Sequence, residues 1–526
     1  MLRRVLVCAA FATWCFLNTW VEFAEGRSAY FSRYAPLRAV VIPVLLWELL
    51  ITAGMLCAWE VCRRWRLANA LSIQFLFLAS CLVPFGIAAV ATLRVFPFDL
   101  APLIRNPWFW PAALVAAVVP LVWALLRPRA ASRLLRGIFL YSWPVLAVVL
   151  LQAWGNLLKF PAARYADHAL AAPLPPQPAR VRVVWIIFDE LSQEIAFDRR
   201  PEGLHLPEFD RLRAESFYAS SAHAPAGSTE LSMPSLILGQ KVVAIFDRGP
   251  DRLELQMAAR PGFSEWSGTP NVFDTARSLG FNTALVGWFH PYGRLLSHSL
   301  SKCFWTAGWL TSGIEEPTAP QALTDAMWSR ARLQFAALPL VGHFPGFFPG
   351  IYQRRAKIER FSYLLDRSRE VVSDPSIGLA LIHLPVPHPP AIYSRSERRI
   401  TAEGRIGYVD SVALADDTLG ILRRSMERAG LWERTAVLIS ADHGWRTYLW
   451  RGDPEWTPDE EAACHGDVSG VPFILKLPGQ KSGIAYSKPF DTIVTRQTIT
   501  DTLNGRLTDP NMLPGYIGRL AECDHR

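Results

Sequence analysis

Five apolar windows in the first third of this chain narrow what it can fold into more than any other feature. Val5–Val21, Val40–Trp59, Leu71–Leu93, Trp108–Leu126 and Gly137–Leu158 each approach the ~20 residues that a helix needs to cross a bilayer. Residues 1–160 therefore read as a transmembrane domain of about five helices. Arg3-Arg4 precede the first window as they would in a secretory leader. No small-residue cleavage motif follows and more spans do, so an uncleaved first span is expected.

Arginine placement gives the orientation. Arg3-Arg4, Arg63-Arg64-Arg66 and Arg127-Arg129-Arg133-Arg136 fall on one side if the spans alternate, and the basic side of a multi-pass protein faces the cytoplasm. An odd number of spans then puts everything after about Leu158 outside. Trp108, Trp110, Trp123 and Trp154 near span ends fit an interfacial aromatic belt. The net charge of +8 is on this reading a topology signal, and no nucleic-acid partner is expected. Glu48, inside the second window, is an ionisable group at membrane depth and so a candidate for function.

Residues 161–180 contain Pro173, Pro175, Pro176 and Pro178 and read as a stiff linker. Residues 181–526 are long enough to bury one large core. Apolar runs at Val181–Phe188, Thr283–Val286, Ile377–Ile382, Thr435–Ile439 and Val471–Leu475 alternate with helical patterns such as Arg355–Val371 and Val412–Ala429. Strands alternating with helices predict an α/β fold with a mostly parallel sheet covered on both faces.

Two of these runs end in chemistry. Thr435–Ile439 leads into Ser440-Ala441-Asp442-His443-Gly444, and Val181–Phe188 leads into Asp189-Glu190. The carboxyl edge of a sheet is where α/β proteins build their sites. Between the two edges lies Thr229, in Ala226-Gly227-Ser228-Thr229-Glu230-Leu231-Ser232-Met233-Pro234. Carboxylate, hydroxyl and imidazole make a plausible shell for a divalent metal, Zn or Mn. A hydroxyl is a poor nucleophile at neutral pH, and a divalent cation stabilises its alkoxide in place of a general base. The same cation neutralises the oxygens of a phosphoryl or sulfuryl group under in-line attack.

With these residues in place, the chain resembles the alkaline phosphatase superfamily, in particular the membrane-anchored sulfatase-like branch of lipoteichoic acid synthases and lipid A phosphoethanolamine transferases. Glu190, Thr229, Asp442, His443, His388 and His465 match that branch's motif positions one by one. His388 lies in His383-Leu384-Pro385-Val386-Pro387-His388-Pro389-Pro390, and His465 in Cys464-His465-Gly466-Asp467. The segments Leu206–Leu212 and Leu279–Gly287 resemble sulfatase segments as well. The resemblance implies that Thr229 is the nucleophile and that Glu190, Thr229, Asp442 and His443 hold the metal. His388 and His465 would bind the transferred group, protonate the leaving oxygen or complete a second metal site.

Departures from that pattern also carry information. True sulfatases modify a Cys or Ser in a Cys-x-Pro-x-Arg type motif to formylglycine. Here Thr229 stands at the nucleophile position and Met233 at that of the Arg, so formylglycine chemistry is not expected. Trp288, in Gly287-Trp288-Phe289-His290, replaces a sulfate-binding Lys. Phosphoethanolamine transferases carry several disulfides in this domain, whereas this chain offers only Cys303, Cys464 and Cys523 there, enough for one bridge among three pairings.

Asp189, His383, His290 and His223 are weaker candidates. Asp189 neighbours the family's Glu position, His223 precedes the Thr229 segment, and His290 occupies a sulfatase-like active-site position. Isolated His168, His205, His298, His343 and His525 read as structural. Leu333–Gly350 is rich in Phe, Leu, Pro and Gly between Arg330, Arg332, Arg354, Arg355 and Lys357. It reads either as a lipid-contacting segment with its basic residues near anionic headgroups, or as a buried apolar loop.

The expectation is a monomeric enzyme of a bacterial inner membrane with its catalytic domain on the periplasmic side. It would move a substituted phosphoryl group from a phospholipid donor to an envelope lipid or glycan. The alternative is a hydrolase of the same superfamily, acting on a phosphodiester, phosphomonoester or sulfate ester. A degenerate, non-enzymatic scaffold is the remaining reading.

Overall fold

The computed structural model of the chain describes residues 1–26, 28–33, 35–67, 70–95, 107–175, 181–307, 322–336, 349–451, 456–464 and 470–524. It divides into a helical unit, Met1–Ala162 with Leu310–Pro349, and an α/β unit, Ala163–Trp309 with Gly350–Arg526. This differs from the single expected boundary in one respect: residues 310–349 group with the helices.

The helical unit contains α1 (Leu2–Trp14), α2 (Leu17–Glu25), α3 (Ile42–Arg64), α4 (Leu71–Ser80), α5 (Leu82–Val95), α6 (Phe109–Leu126), α7 (Pro128–Tyr141) and α8 (Trp143–Lys159). Phe11, Phe16, Trp20, Val44, Phe139 and Leu146 are among its buried residues. Among the described residues, three stretches are long and apolar enough to cross a membrane: Ile42–Arg64, Leu71–Thr92 and Pro128–Lys159. Only 11%, 22% and 11% of these windows is buried, so their apolar faces point outward, as lipid would require. Five spans were expected. The first window breaks after Trp14 into two helices bent by 69°, a fourth span only if the pair counts as one, and the apolar helix over the fourth window, Pro111–Leu126, falls short.

The three basic clusters gather at one place in this unit. Glu60 pairs with Arg63 and Arg64 and lies 3.6 Å from Arg4. The guanidiniums of Arg4 and Arg136 stand 5.8 and 5.0 Å from the Trp59 ring. Within Ile42–Arg64, Glu48 Oε1 accepts from Trp20 Nε1 at 2.7 Å. Helix Leu323–Ala336 joins the unit through Trp47, whose Nε1 donates to the Met327 carbonyl at 2.7 Å, and through Gln334, whose Nε2 donates to Thr19 Oγ1 at 2.9 Å.

Most of Leu333–Gly350 lies outside the described residues. The expectation that its basic flanks face headgroups fails for Arg330, Arg354 and Lys357, which are buried. Arg354 donates to the carbonyls of Gly404 and Ile406 at 2.9 and 3.2 Å. A cation bonded to backbone carbonyls in a protein interior cannot also solvate in a headgroup layer.

In the α/β unit the central sheet consists of β1 (Arg182–Phe188), β2 (Phe217–His223), β3 (Asn282–Phe289), β4 (Lys302–Ala307), β5 (Ile377–Leu384), β6 (Thr435–Ser440), β7 (Gly470–Lys476), β8 (Ile484–Tyr486) and β9 (Phe490–Asp491). The spatial order is β8-β2-β7-β6-β1-β5-β3-β4, with β9 also on β2. All neighbours pair parallel except β6 with β7 and β7 with β2. Every residue of β1, β5 and β6 is buried, as their unbroken apolar sequences require of strands covered on both faces. Helices Pro349–Val372 and Tyr408–Arg428 extend the expected helical patterns by several residues. A separate three-stranded antiparallel sheet, Val242–Asp247, Leu253–Met257 and Phe263–Glu265, was not expected.

Register positions the site. β1 pairs with β6 from Arg182↔Thr435 to Ile187↔Ser440, and with β5 at Ile187↔His383. Three adjacent parallel strands thus end together: β5 carries His383 near its end, and the continuations carry Asp189-Glu190, Asp442-His443 and His388. The described part of the linker is pinned to this unit: Ala171 N donates to Leu300 O at 3.0 Å, and Leu174 N donates to Asn282 Oδ1 at 2.7 Å.

Candidate metal centre and nucleophile

Thr229 is the first residue of helix Thr229–Leu238, after Ser228 in extended conformation. A helix amino terminus carries partial positive charge, which favours an alkoxide. The hydroxyl is buried; it donates to Asp189 Oδ2 at 3.4 Å and lies 3.2 Å from His443 Nε2.

His443 is held in one tautomer. Its Nδ1 lies 3.0 Å from the Gly444 carbonyl, so Nδ1 carries the proton and Nε2 presents its lone pair. That lone pair faces Asp189 Oδ1 at 3.5 Å and Asp442 Oδ2 at 3.4 Å. A lone pair and two carboxylate oxygens repel one another in a buried site unless a cation lies among them. Asp189 Oδ1 and Asp442 Oδ2 have no hydrogen-bond partner among the described residues. The other oxygen of Asp442 accepts the Glu190 and His443 N–H groups at 3.0 and 2.9 Å. These residues fit a divalent metal, and Asp189, Asp442 and His443 have ligand atoms within 4.8 Å of one another.

A second cluster, Asp189, Glu190 and His388, meets the same distance limit. Asp189 is therefore common to both, while Glu190, which the motif resemblance favoured over it, belongs to one. Glu190 Oε1 accepts from Arg446 N at 2.7 Å, Arg446 Nε at 3.3 Å and Trp450 Nε1 at 2.9 Å. Its Oε2 has no hydrogen-bond partner and lies 3.8 Å from His388 Nε2. The Glu190 backbone sits at φ 67°, the left-handed region that non-glycine residues rarely occupy outside functional sites.

Burial and the neighbouring Asp442 push the Asp189 carboxyl well above its ordinary range. Burial alone would raise Asp442 too, but the His443 and His383 imidazoles and its hydrogen bonds hold it below its ordinary value. Opposite shifts are what two neighbouring buried carboxyls produce. Burial also lowers His383 to about 4 and His290 to about 3, and drives His388 well below the usual imidazole range.

The remaining candidates sit at different distances from this centre. His383 is buried at the end of β5, with Nε2 3.9 Å from Asp189 Oδ2 and Nδ1 3.4 Å from the Tyr292 hydroxyl. His290 is buried with Nε2 3.4 Å from the Thr229 carbonyl. His388 is flanked edge-on by Trp288 and Trp450, at 5.5 and 5.3 Å. His223 is exposed at the end of β2 and joins neither cluster. His465 lies outside the described residues. Cys464 joins neither cluster, and Cys303 and Cys464 form no disulfide among the described residues.

Sequence reasoning missed Arg446, Trp450, Lys357 and Tyr408. Lys357, assigned to the lipid boundary, donates instead to the carbonyls of His388 and of Pro390, the latter at 3.0 Å, and burial lowers its amine to about 7. Arg446 lay three residues past His443, and a cation so close to a metal-ligand motif was the available signal.

Residues 182–504 match the Sulfatase family model. The chain belongs to the Sulfatase family. Among curated proteins, this sulfatase-family chain is 30% identical over 114 residues to an ulvan-active sulfatase of Formosa agariphila, a stretch covering 21% of this chain and 18% of that protein. Among solved structures, the sulfatase PsFucS1 from Pseudoalteromonas sp. aligns at 18% identity and TM-score 0.43, covering 62% of this chain and 68% of that one. The phosphonate monoester hydrolase of Agrobacterium radiobacter aligns at 15% identity and TM-score 0.39, covering 62% and 74%.

Proposed function

We propose that this sulfatase-family protein is a membrane-anchored transferase that moves a substituted phosphoryl group, of the phosphoethanolamine or phosphoglycerol type, from a phospholipid donor to an envelope lipid or glycan. The single observation that carries this reading is the Thr229 hydroxyl, buried at a helix amino terminus between Asp189 and His443. An unmodified Thr attacks a phosphorus centre directly, forming an ester on Oγ1 as the bond to the lipid donor's oxygen breaks and that oxygen departs as an alcohol with the Thr229 proton; an acceptor hydroxyl then attacks the same phosphorus, breaks its bond to Oγ1 and returns a proton to Thr229. A divalent ion, Zn²⁺ or Mn²⁺, held by Asp189, Asp442 and His443 with Glu190 beside it, would supply the positive charge that stabilises the alkoxide and the transferred oxygens. The apolar helices would anchor a monomer in a bacterial inner membrane with the α/β unit on the periplasmic side, where lipid donors and envelope acceptors meet.

A hydrolase is the second reading, favoured by the family match and by the sulfatase relative. Water would then be the final acceptor. Mass spectrometry of the Thr229 peptide after exposure to native membranes separates the two. An adduct with the mass of phosphoethanolamine or phosphoglycerol supports the transferase, and bare phosphate supports a phosphatase. An unmodified Thr229, together with full activity in Thr229→Ala, defeats both.

A further inference from the structure

The central sheet is polar at its other end too. Where the adjacent strands β6, β1, β5 and β3 begin, opposite the edge that carries Asp189-Glu190, a cavity of about 20 Å³ is lined by Arg182, Arg434, Asn282 and Ser376 among others. Arg182 is the first residue of β1 and only 3% exposed. One of its terminal nitrogens, Nη1, donates to the Val372 carbonyl at 3.0 Å, while Nε and Nη2 are buried with no hydrogen-bond partner among the described residues. A guanidinium keeps its proton in a protein. This one is therefore a buried positive charge with two donors unused, which costs stability until something accepts them.

The polar groups around it are already engaged. Asn282 Oδ1 accepts the Leu174 N–H at 2.7 Å and the Ser301 hydroxyl at 3.1 Å. Asp374, the acid whose charge reaches Arg182, accepts the Ser376 N–H and hydroxyl on Oδ1 at 2.8 and 2.7 Å, and pairs Oδ2 with Lys302 Nζ at 2.9 Å. Arg434 brings a second positive charge to the same cavity. Burial and that neighbouring guanidinium lower Arg182 to about 10, and Asp374 offsets them only in part. Space then decides between ligands. A cavity needs roughly 10–15 Å³ to admit one water molecule, so this one takes a single particle of about that size. Phosphate and sulfate, with four oxygens around a central atom, are too large, and water brings no charge.

We propose that the cavity is a chloride site: one ion accepts from Arg182 Nε and Nη2, offsets the Arg182 and Arg434 charges together, and fastens the start of β1 to that of β6. Those two starts are register partners, Arg182 opposite Thr435. The ion is structural and takes no part in the chemistry at the opposite edge of the sheet.

The test is the thermal midpoint of the full-length protein in detergent, measured at fixed ionic strength as sodium gluconate is exchanged for sodium chloride. An ion that binds only the folded state raises the midpoint. Relative to Arg182→Met, which keeps an unbranched stem but neither charge nor donors, the unaltered protein should gain about 2 °C or more from the exchange. Should that variant not fold, Arg434→Met makes the same comparison, since Arg434 is partly exposed. The same chloride response in the unaltered protein and in whichever variant folds overturns the proposal.

Discussion

The Tyr408 hydroxyl donates to the Glu190 carbonyl at 2.7 Å and accepts the Ser192 N–H at 2.9 Å, clamping the turn that follows β1 from a helix more than two hundred residues away in sequence. That turn holds Glu190 at positive φ, so the clamp opposes a backbone that would otherwise relax. Tyr408→Phe leaves a buried carbonyl and a buried N–H without their partner and should cost about 1–3 kcal/mol of stability. A fall in thermal midpoint in detergent, with weaker metal retention, is expected. An unchanged midpoint would refute the clamp.

Asp189 and Glu190 should behave differently although they are neighbours. Asp189 serves both clusters and Glu190 only one, so Asp189→Asn should strip the ion and Glu190→Gln should retain it with weakened affinity. Elemental analysis of the two purified variants decides the point, and equal loss from both would merge the two clusters into one.

Asp416 is expected to make stability fall between about pH 4 and pH 7. Burial pushes its carboxyl up to about 7, against the hydrogen bonds it accepts from Phe209 N at 2.7 Å and Glu208 N at 3.2 Å. With the folded value above the unfolded one, the folded protein binds more protons in that window. The stabilisation is full below the unfolded value and is lost as pH rises through the folded one. Asp416→Asn should flatten this slope, and thermal midpoints measured at half-unit pH intervals would reveal it. A wild-type slope of the opposite sign relative to Asp416→Asn refutes the assignment.

Orientation is testable with a reporter active only outside the cytoplasm. Arg4, Arg63, Arg64 and Arg136 converge around Trp59 and Glu60, which marks one end of the helical unit as basic. A fusion near Arg129 should be silent and one after Arg526 active. The reverse pattern would move both the site and its lipid donors to the cytoplasmic leaflet.

Legibility of the site followed the distance over which its causes act. Asp189-Glu190 and Asp442-His443 were readable because each closes an unbroken apolar run, and the run and its polar edge are one local feature. Arg446 belongs to the same segment, yet its direction is set by the short helix Thr447–Trp450 and by Glu190, which no periodicity encodes. Tyr408 and Lys357 reach the site from helices whose sequences report only an amphipathic face. In the membrane part, hydropathy counted apolar residues correctly but carried no sign of the bend after Trp14. The small sheet over Val242–Glu265 went unread although Val242-Val243-Ala244-Ile245-Phe246 is an apolar run, because its partner strands Leu253–Met257 and Phe263–Glu265 are short and mix polar with apolar residues.

The return of Leu310–Pro349 to the helical unit has a covalent consequence. The chain passes between the units at Ala162/Ala163, Trp309/Leu310 and Pro349/Gly350. A protease that nicks the proline-rich stretch before β1 would leave the enzyme moored on both sides of that insertion, so shedding it takes three cuts where an ordinary stalk takes one. A fragment begun at Ala163 would likewise carry helix Leu323–Ala336 without the Trp47 and Thr19 partners it has in the intact chain.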